Sequence, residues 1–306
     1  MKAIGIILAG GNNNRMKELT AKRAVPALPV AGSFRSIDFA LSSMSNSHIQ
    51  TVAVLTQYNA RSLNEHLSSS KWWNFGRKQG GLFLFTPTVT ADNSDWYRGT
   101  ADAMYQNIDF LKRRHEPYVI ISSGDCVYKL DFNRVLDFHI EKKSDITVVC
   151  KDMMYNDDVS RFGVVRMDDE SRITEFDEKP IEALSNTIST GIYVIRRRQL
   201  IELLEAAAEE NRFDFVNDIL VRYKNVKKIY GYKINSYWNN IADIDAYFKT
   251  NMDFLRPDVR SYFFREEPTI CSKVDDLPPA KFNPGSDISN SLVSSCLLYT
   301  SPSPRD

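Results

Sequence analysis

Apolar residues gather in short unbroken runs: AIGIILAG at 3–10, TVAVLTQY at 51–58, YVIISSGD at 118–125 and ITVVC at 146–150. A strand buried on both faces has no polar side to alternate with, so continuous runs of this length predict interior strands. Between them the period changes. Ala101, Met104, Tyr105, Ile108 and Leu111 fall at i, i+3, i+4, i+7 and i+10, building one apolar helix face until KRRHEP stops it. NRVLDFHIEKK and RRQLIELLEAAAEE predict further helices, while FGVVRMD, ITEFDEKP, TISTGIYVIRR and KKIYGYKI predict later strands. Strand–helix alternation predicts an α/β fold: a Rossmann-like, mainly parallel mixed sheet with helices on both faces. Such sheets bind ligands at the carboxyl ends of their strands, which directs attention to the loops after residues 8 and 123.

The last stretch breaks this pattern. PPAKFNPGSDISNSLVSS (278–295) is rich in Pro, Ser and Asn, and its ISNSLVSS resembles one rung of a hexapeptide-repeat β-helix. One rung cannot bury its own faces, and such solenoids need about three or more repeats. CLLYTSPSPRD (296–306) continues neither the repeat nor any core pattern. The expectation is a chain cut soon after the first rung, with 297–306 as a non-native tail.

Composition narrows the function. At 306 residues, 43% hydrophobic and 25% charged, the chain can form a sizeable globular core. Lys+Arg and Asp+Glu balance at 39 each, without the basic excess of a dedicated nucleic-acid binder. No apolar run approaches the roughly 18 residues of a membrane span. Cys126, Cys150, Cys271 and Cys296 show no CxxC pair or metal-ligand rhythm, so a cytoplasmic protein with free thiols is expected.

Chemistry begins at ILAGGNNNRM (7–16). Gly and Asn both suit a tight strand-to-helix turn, and a phosphate-cradling loop would also begin this way. The string is neither GxGxxG nor GxxxxGK[ST], which sets dehydrogenases and P-loop enzymes aside. Further along come FRSIDFALSSMSNS, TQYNARSLNEHL, WYRGTADAMYQN, SSGDCVYK, EFDEKP, STGIYVI and YWNNIADIDAYFKTNMDFL, in that order. Together these closely resemble the ADP-glucose pyrophosphorylases (glucose-1-phosphate adenylyltransferases) of bacterial glycogen synthesis, over roughly residues 1–300.

The resemblance implies a nucleotidyltransferase domain over 1–256, then a linker and the first rung of a left-handed β-helix over 257–296. It implies attack of a sugar-1-phosphate oxygen on the α-phosphorus of ATP, with pyrophosphate leaving and Mg²⁺ neutralising charge. Leu8, Ala9, Gly10, Gly11, Gln57, Gly99, Thr100 and Ala101 would surround the nucleotide, with Arg15 reaching its phosphates. Asp125 would bind Mg²⁺. Lys179 would take the sugar phosphate, Glu178 the sugar hydroxyls, and Ser189 and Gly191 would line the sugar pocket. Each has a plainer reading as well. Asp125 could be a turn residue, Lys179 a solvated loop lysine, and Trp72, Trp73 and Tyr97 core aromatics. His48, His66, His115 and His139 have no ligand spacing.

Four positions depart from the family pattern. Its loop GGRGTRL is GGNNNRM here, with Asn12 in place of an arginine. KRAKPA is KRAVPA, placing Val25 where a lysine would face phosphates or a sugar-phosphate activator. GDH is GDC, with Cys126, and the second metal-binding aspartate, from a YWRDVG-like string, is Asn240. An amide is neutral, so Mg²⁺ binding is expected to be weak or absent. None of these positions is expected to build the core. Within the family the pattern resembles the D-type subunit of Gram-positive bacteria, which pairs with a catalytic homologue; a regulatory chain in a hetero-oligomer, a heterotetramer, follows. Two other readings stay open: a competent adenylyltransferase relying on Asp125, and a nucleotide-sugar-binding protein without a catalytic partner.

Overall fold

The computed structural model describes residues 2–11, 14–76, 80–88, 96–154, 157–274 and 280–294. In chain order come β1 (Ala3–Ala9), the short pair β2 (Pro29–Val30) and β3 (Phe34–Arg35), α1 (Ser36–Asn46), β4 (Thr51–Thr56), α2 (Arg61–Leu67) and β5 (Gly81–Phe85). Next are α3 (Thr100–Tyr105), α4 (Ile108–Lys112), β6 (Tyr118–Ser123), β7 (Cys126–Tyr128), α5 (Phe132–Glu141), β8 (Ile146–Asp152), β9 (Gly163–Met167) and β10 (Ile173–Glu178). The rest are β11 (Thr187–Arg196), α6 (Arg197–Glu209), β12 (Ile229–Lys233), β13 (Trp238–Asn240), α7 (Ile244–Asp253) and α8 (Pro257–Phe264).

The central sheet runs β10-β9-β11-β6-β1-β4-β5, with β8 beside β11 and β12 beside β8. The stretch β6-β1-β4-β5 is parallel, so its strands deliver their carboxyl ends to one edge. At β11 the sheet turns antiparallel. Alternate residues of each strand point to opposite faces, giving two cores. Ile7, Val52, Val54 and Ile120 pack with Ile37, Leu41 and Met44 of α1 on one side. Ile4, Ile6, Val119 and Ile121 pack with Met104, Leu111, Leu200 and Leu204 on the other. A third cluster joins Met16, Val25, Leu28 and Phe39 to Ile241, Phe254 and Phe263, seating the end of α7 and α8 against α1 and the short strands β2 and β7.

The α/β architecture agrees with the hydrophobic pattern, but the helix expected over 101–111 is two helices. Asn107 donates its side-chain amide to the Ala103 carbonyl at 2.9 Å, occupying the acceptor that a continuing helix would use. Tyr105, the last residue of α3, is exposed and not part of the expected apolar face. Residues 280–294, which carry most of the expected β-helix rung, form no strand and are largely exposed; residues 297–306 lie outside the described residues. Cys126, Cys150 and Cys271 are free thiols, and Cys296 is outside the described set. Among the described residues no helix is long and apolar enough to cross a membrane.

Candidate active site

Because β1, β4 and β6 are parallel, the loops that follow them converge. Gly124 ties the β6 loop to β1 by donating its N–H to the Leu8 carbonyl at 2.9 Å. The resulting cleft has two compartments that share Ser123 and Asp125.

The first, of about 510 Å³, is walled by Leu8 to Gly11, Val25, Gln57, Tyr97 to Thr100 and Ala103. Gly10, Gly11 and Gly99 expose bare backbone along its walls. Gln57 accepts the Tyr97 N–H at 2.8 Å and returns a hydrogen bond to the Tyr97 carbonyl at 3.4 Å, so its amide braces the loop before α3. Buried Asp102 accepts the Arg98 N–H at 2.8 Å and the Arg98 guanidinium at 3.1 Å. The guanidinium also lies over the Phe213 ring, 3.9 Å from its centroid. Gly99 has no room for a side chain: a Cβ there would stand 2.3 Å from the Phe213 carbonyl oxygen. At the mouth, Tyr58 and Trp96 stack with centroids 5.4 Å apart.

The second compartment, of about 560 Å³, is lined by charged and polar side chains, among them Arg15, Arg161, Glu178, Lys179, Ser189 and Asn240. Gly191, at φ +75, makes the left-handed kink in β11 that opens this wall. Lys179 also holds a left-handed backbone, at φ +52, and its ammonium pairs with Glu178 at 3.3 Å. Burial raises the Glu178 carboxyl above its ordinary range, with Lys179 opposing. The sequence offered no signal for Arg161 or its ion-pair partner Asp243. An aspartate before a helix reads as an N-cap, a role Asp243 also has.

Between the compartments, β13 pairs with β7 so that Asn240 lies opposite Cys126. The Asn240 amide is engaged at both ends: its oxygen accepts the Ala242 N–H at 2.9 Å, and its nitrogen donates to Cys126 Sγ at 3.4 Å. Asp125 accepts the Ser123 hydroxyl hydrogen bond, and the Cys126 thiol lies 3.6 Å from the same oxygen. Burial pushes the Cys126 thiol well up, and Asp125 adds to the shift. Mg²⁺ prefers hard anionic oxygens and is often completed by substrate phosphates. Among the described residues no group of three or more His, Cys, Asp or Glu is arranged for a metal. This donor set fits Mg²⁺ only as an ion that arrives with phosphate and meets the single carboxylate of Asp125.

Most expected site residues come together, with three adjustments. Ala101 sits in the core and gives its N–H to the Phe213 carbonyl at 2.8 Å; Ala103 lines the cavity instead. Arg15 lies in the second compartment, not the first. Val25 and Cys126 are buried members of apolar clusters, so two of the substituted positions do build the core. Asn12 lies outside the described residues.

A compartment edged by a glycine loop thus lies beside a charged one, and the two meet at the carboxylate that follows β6. Residues 4–256 match the nucleotidyl transferase family, and the chain belongs to that family. Within it, the chain is similar to proteins named glucose-1-phosphate adenylyltransferase. The one from Clostridium novyi (strain NT) is 38% identical over 293 residues, covering 95% of this chain and 76% of the relative. That of Clostridium acetobutylicum is 39% identical, covering 95% and 77%. That of Thermotoga maritima is 37% identical over 295 residues, covering 95% and 70%.

Proposed function

We propose that this chain is a regulatory subunit of a glucose-1-phosphate adenylyltransferase, retaining nucleotide and sugar-phosphate compartments while turning over slowly by itself. The relatives' names supply adenylyl transfer to glucose 1-phosphate; the reaction proposed is that of ATP and glucose 1-phosphate to ADP-glucose and pyrophosphate, in glycogen synthesis. The observation that carries the regulatory part is Asn240. Its neutral amide stands beside Asp125 with both ends already hydrogen-bonded inside the protein. When Mg²⁺ is bound, Asp125 would hold it, and the ion supplies charge neutralisation at the phosphates. The chain's own groups then act by position. Ser123 orients the Asp125 carboxylate, the glycine loop admits phosphate close to backbone, and Arg15, Arg161 and Lys179 give the second compartment its positive charge.

A chain with this site alters metabolism by altering another chain. The proposal therefore includes a catalytic homologue as partner in a heterotetramer, a sugar-phosphate effector, a cytoplasmic location, and residues 257–296 as a linker, which holds α8, followed by the first rung of a β-helix. The test is pyrophosphate release by this chain alone, by a catalytic homologue, and by the mixture, alongside size-exclusion chromatography of the mixture. Co-elution is expected, with the partner's substrate or effector response shifted by a coupling of about 1–3 kcal/mol. Separate elution at micromolar concentration with unchanged partner kinetics overturns the regulatory reading. Full turnover by the chain alone makes it a catalytic enzyme instead.

A further inference from the structure

Arg161 lies just before β9, with its guanidinium over the Phe162 ring at 4.9 Å. Phe162 in turn meets Trp238 edge-on at 5.7 Å, so an aromatic stack backs the arginine. Its Nη1 pairs with one oxygen of Asp243, while the other oxygen of Asp243 caps α7 by accepting the Ala246 N–H at 2.8 Å. One nitrogen of the planar fork is therefore held by a carboxylate that the start of α7 fixes in turn. The Nε group is buried and has no acceptor among the described residues. Burial lowers the arginine's pKa; the nearby charge of Arg15 adds to that, while Asp158 and Asp245 oppose it. Two neighbouring guanidiniums repel each other by themselves, and a dianion between them reverses the sign.

Lys179 offers a contrast. Its side chain is 60% exposed, and its ammonium is already paired with Glu178. A braced guanidinium loses less freedom on binding phosphate than a mobile ammonium, and it can bind bidentately. We propose that Arg161, supported by Asp243 and accompanied by Arg15, is the principal anchor for the phosphate of a sugar 1-phosphate in the second compartment, with Lys179 secondary. The proposal rests on the sugar-phosphate reading of that compartment given above.

The experiment is calorimetric titration of the full chain and its Arg161→Gln, Arg161→Lys and Lys179→Gln variants with glucose 1-phosphate, glucose and ATP. Loss of a charge-assisted bidentate contact should weaken glucose 1-phosphate by about tenfold or more in Arg161→Gln. ATP affinity, measured beside thermal melting, should stay within about twofold, which a merely structural brace would not produce. Arg161→Lys should recover only part of the loss, because an ammonium lacks the fork. Lys179→Gln should lose less than Arg161→Gln. Three results overturn the assignment: Arg161→Gln binding as tightly as the parent, equal weakening of ATP and glucose 1-phosphate, or a larger loss in Lys179→Gln. A parent chain that binds ATP and no sugar phosphate overturns both this inference and the sugar-phosphate reading; persistent binding in Arg161→Gln overturns the anchor alone.

Discussion

The two compartments flanking Asp125 are built by opposite means. The wall of the first compartment, proposed above to take the nucleotide, is loop backbone held in place: Gly10, Gly11 and Gly99 leave it bare, Gln57 clamps Tyr97, and Asp102 clamps Arg98. The wall of the second compartment, proposed above to take the sugar phosphate, is charge held in place, with Arg161 on Asp243 and Lys179 on Glu178. A backbone wall keeps its shape through substitutions that spare its glycines and clamps. A charged wall, and the Asp125 carboxylate between the two, can lose chemistry through one neutral side chain. The departures from the family pattern that fall within the described residues lie at that junction or against it, at Val25, Cys126 and Asn240. Binding and turnover should therefore come apart in this chain.

The largest expected effect is that separation itself. Removing one preorganised charge typically lowers kcat by ~10²–10³, so the isolated chain should turn over at least that far below a catalytic homologue. Its ATP affinity should remain within about tenfold, a difference of ~1.4 kcal/mol. Parallel pyrophosphate-release and equilibrium-binding measurements check this, and equal losses in both would break the comparison.

Next comes the backbone wall. Gly99→Ala forces a Cβ toward a carbonyl oxygen in the Phe213 segment, whose Oδ-clamped neighbours leave it little freedom. Overpacking of this kind costs about 1–3 kcal/mol, and here ATP binding should fall with stability. Urea unfolding and ATP titration of Gly99→Ala measure both. Unchanged ATP binding would mean that the loop shifts without penalty.

The same contrast explains what the sequence made legible. Apolar runs encode buried strands directly, so β1, β4, β6 and β8 could be read from them, and the strand ends led to Gly10 and Asp125. The helix α1 could not be read by amphipathicity, because it buries Ser36, Asp38, Ser42 and Ser43 along with its apolar residues. Asp38 is satisfied there by the Arg35 N–H at 2.8 Å and by His66 at 2.7 Å, partners no local pattern reveals. The split between α3 and α4 depended on one side-chain hydrogen bond from Asn107. The nucleotide wall was visible because its glycines lie in contiguous motifs. Arg161 and Asp243 stand 82 positions apart and meet only through the fold. Val25 looked like a lost cation and proves also to be a core residue, since a sequence string does not distinguish a cavity wall from the packing behind it.

That double role shapes the third prediction. Asn240→Asp with Val25→Lys should raise turnover by about tenfold over the parent, restoring part of the charge while Cys126 still occupies its place. The lysine has to lead its ammonium from an apolar cluster into the first compartment, so the variant should also lose about 1–2 kcal/mol of stability. Steady-state kinetics at saturating Mg²⁺ and urea unfolding read the two effects separately. No gain with stability intact would mean that the junction is closed by Cys126, and Cys126→His in the same background is the next comparison.

The smallest effect tests whether the charged wall alone responds to pH. Burial raises the Glu178 carboxyl above its ordinary 4.5, so the folded state holds this proton more tightly than the unfolded state. Its stabilising contribution is therefore fully present below about pH 4.5 and is lost as pH rises through the higher folded-state pKa. At neutral pH the ionised, largely buried carboxylate is a net burden that Lys179 only partly offsets. Glu178→Gln keeps the shape and removes the ionisation, so the variant should be the more stable of the two at pH 7, and the advantage should shrink to nothing toward pH 4. Between pH 4 and pH 7 sugar-phosphate affinity in the variant should keep only the dependence set by the ligand's own phosphate, which titrates at pH ~6, and differ from the parent in the rest, whereas ATP affinity in the backbone-built compartment should be unchanged by the substitution at either pH. Urea unfolding and the two titrations at pH 4 and pH 7 decide it. A pH response moved equally in both compartments would show that they are electrostatically one site, and the division between a backbone wall and a charged wall would have to be given up.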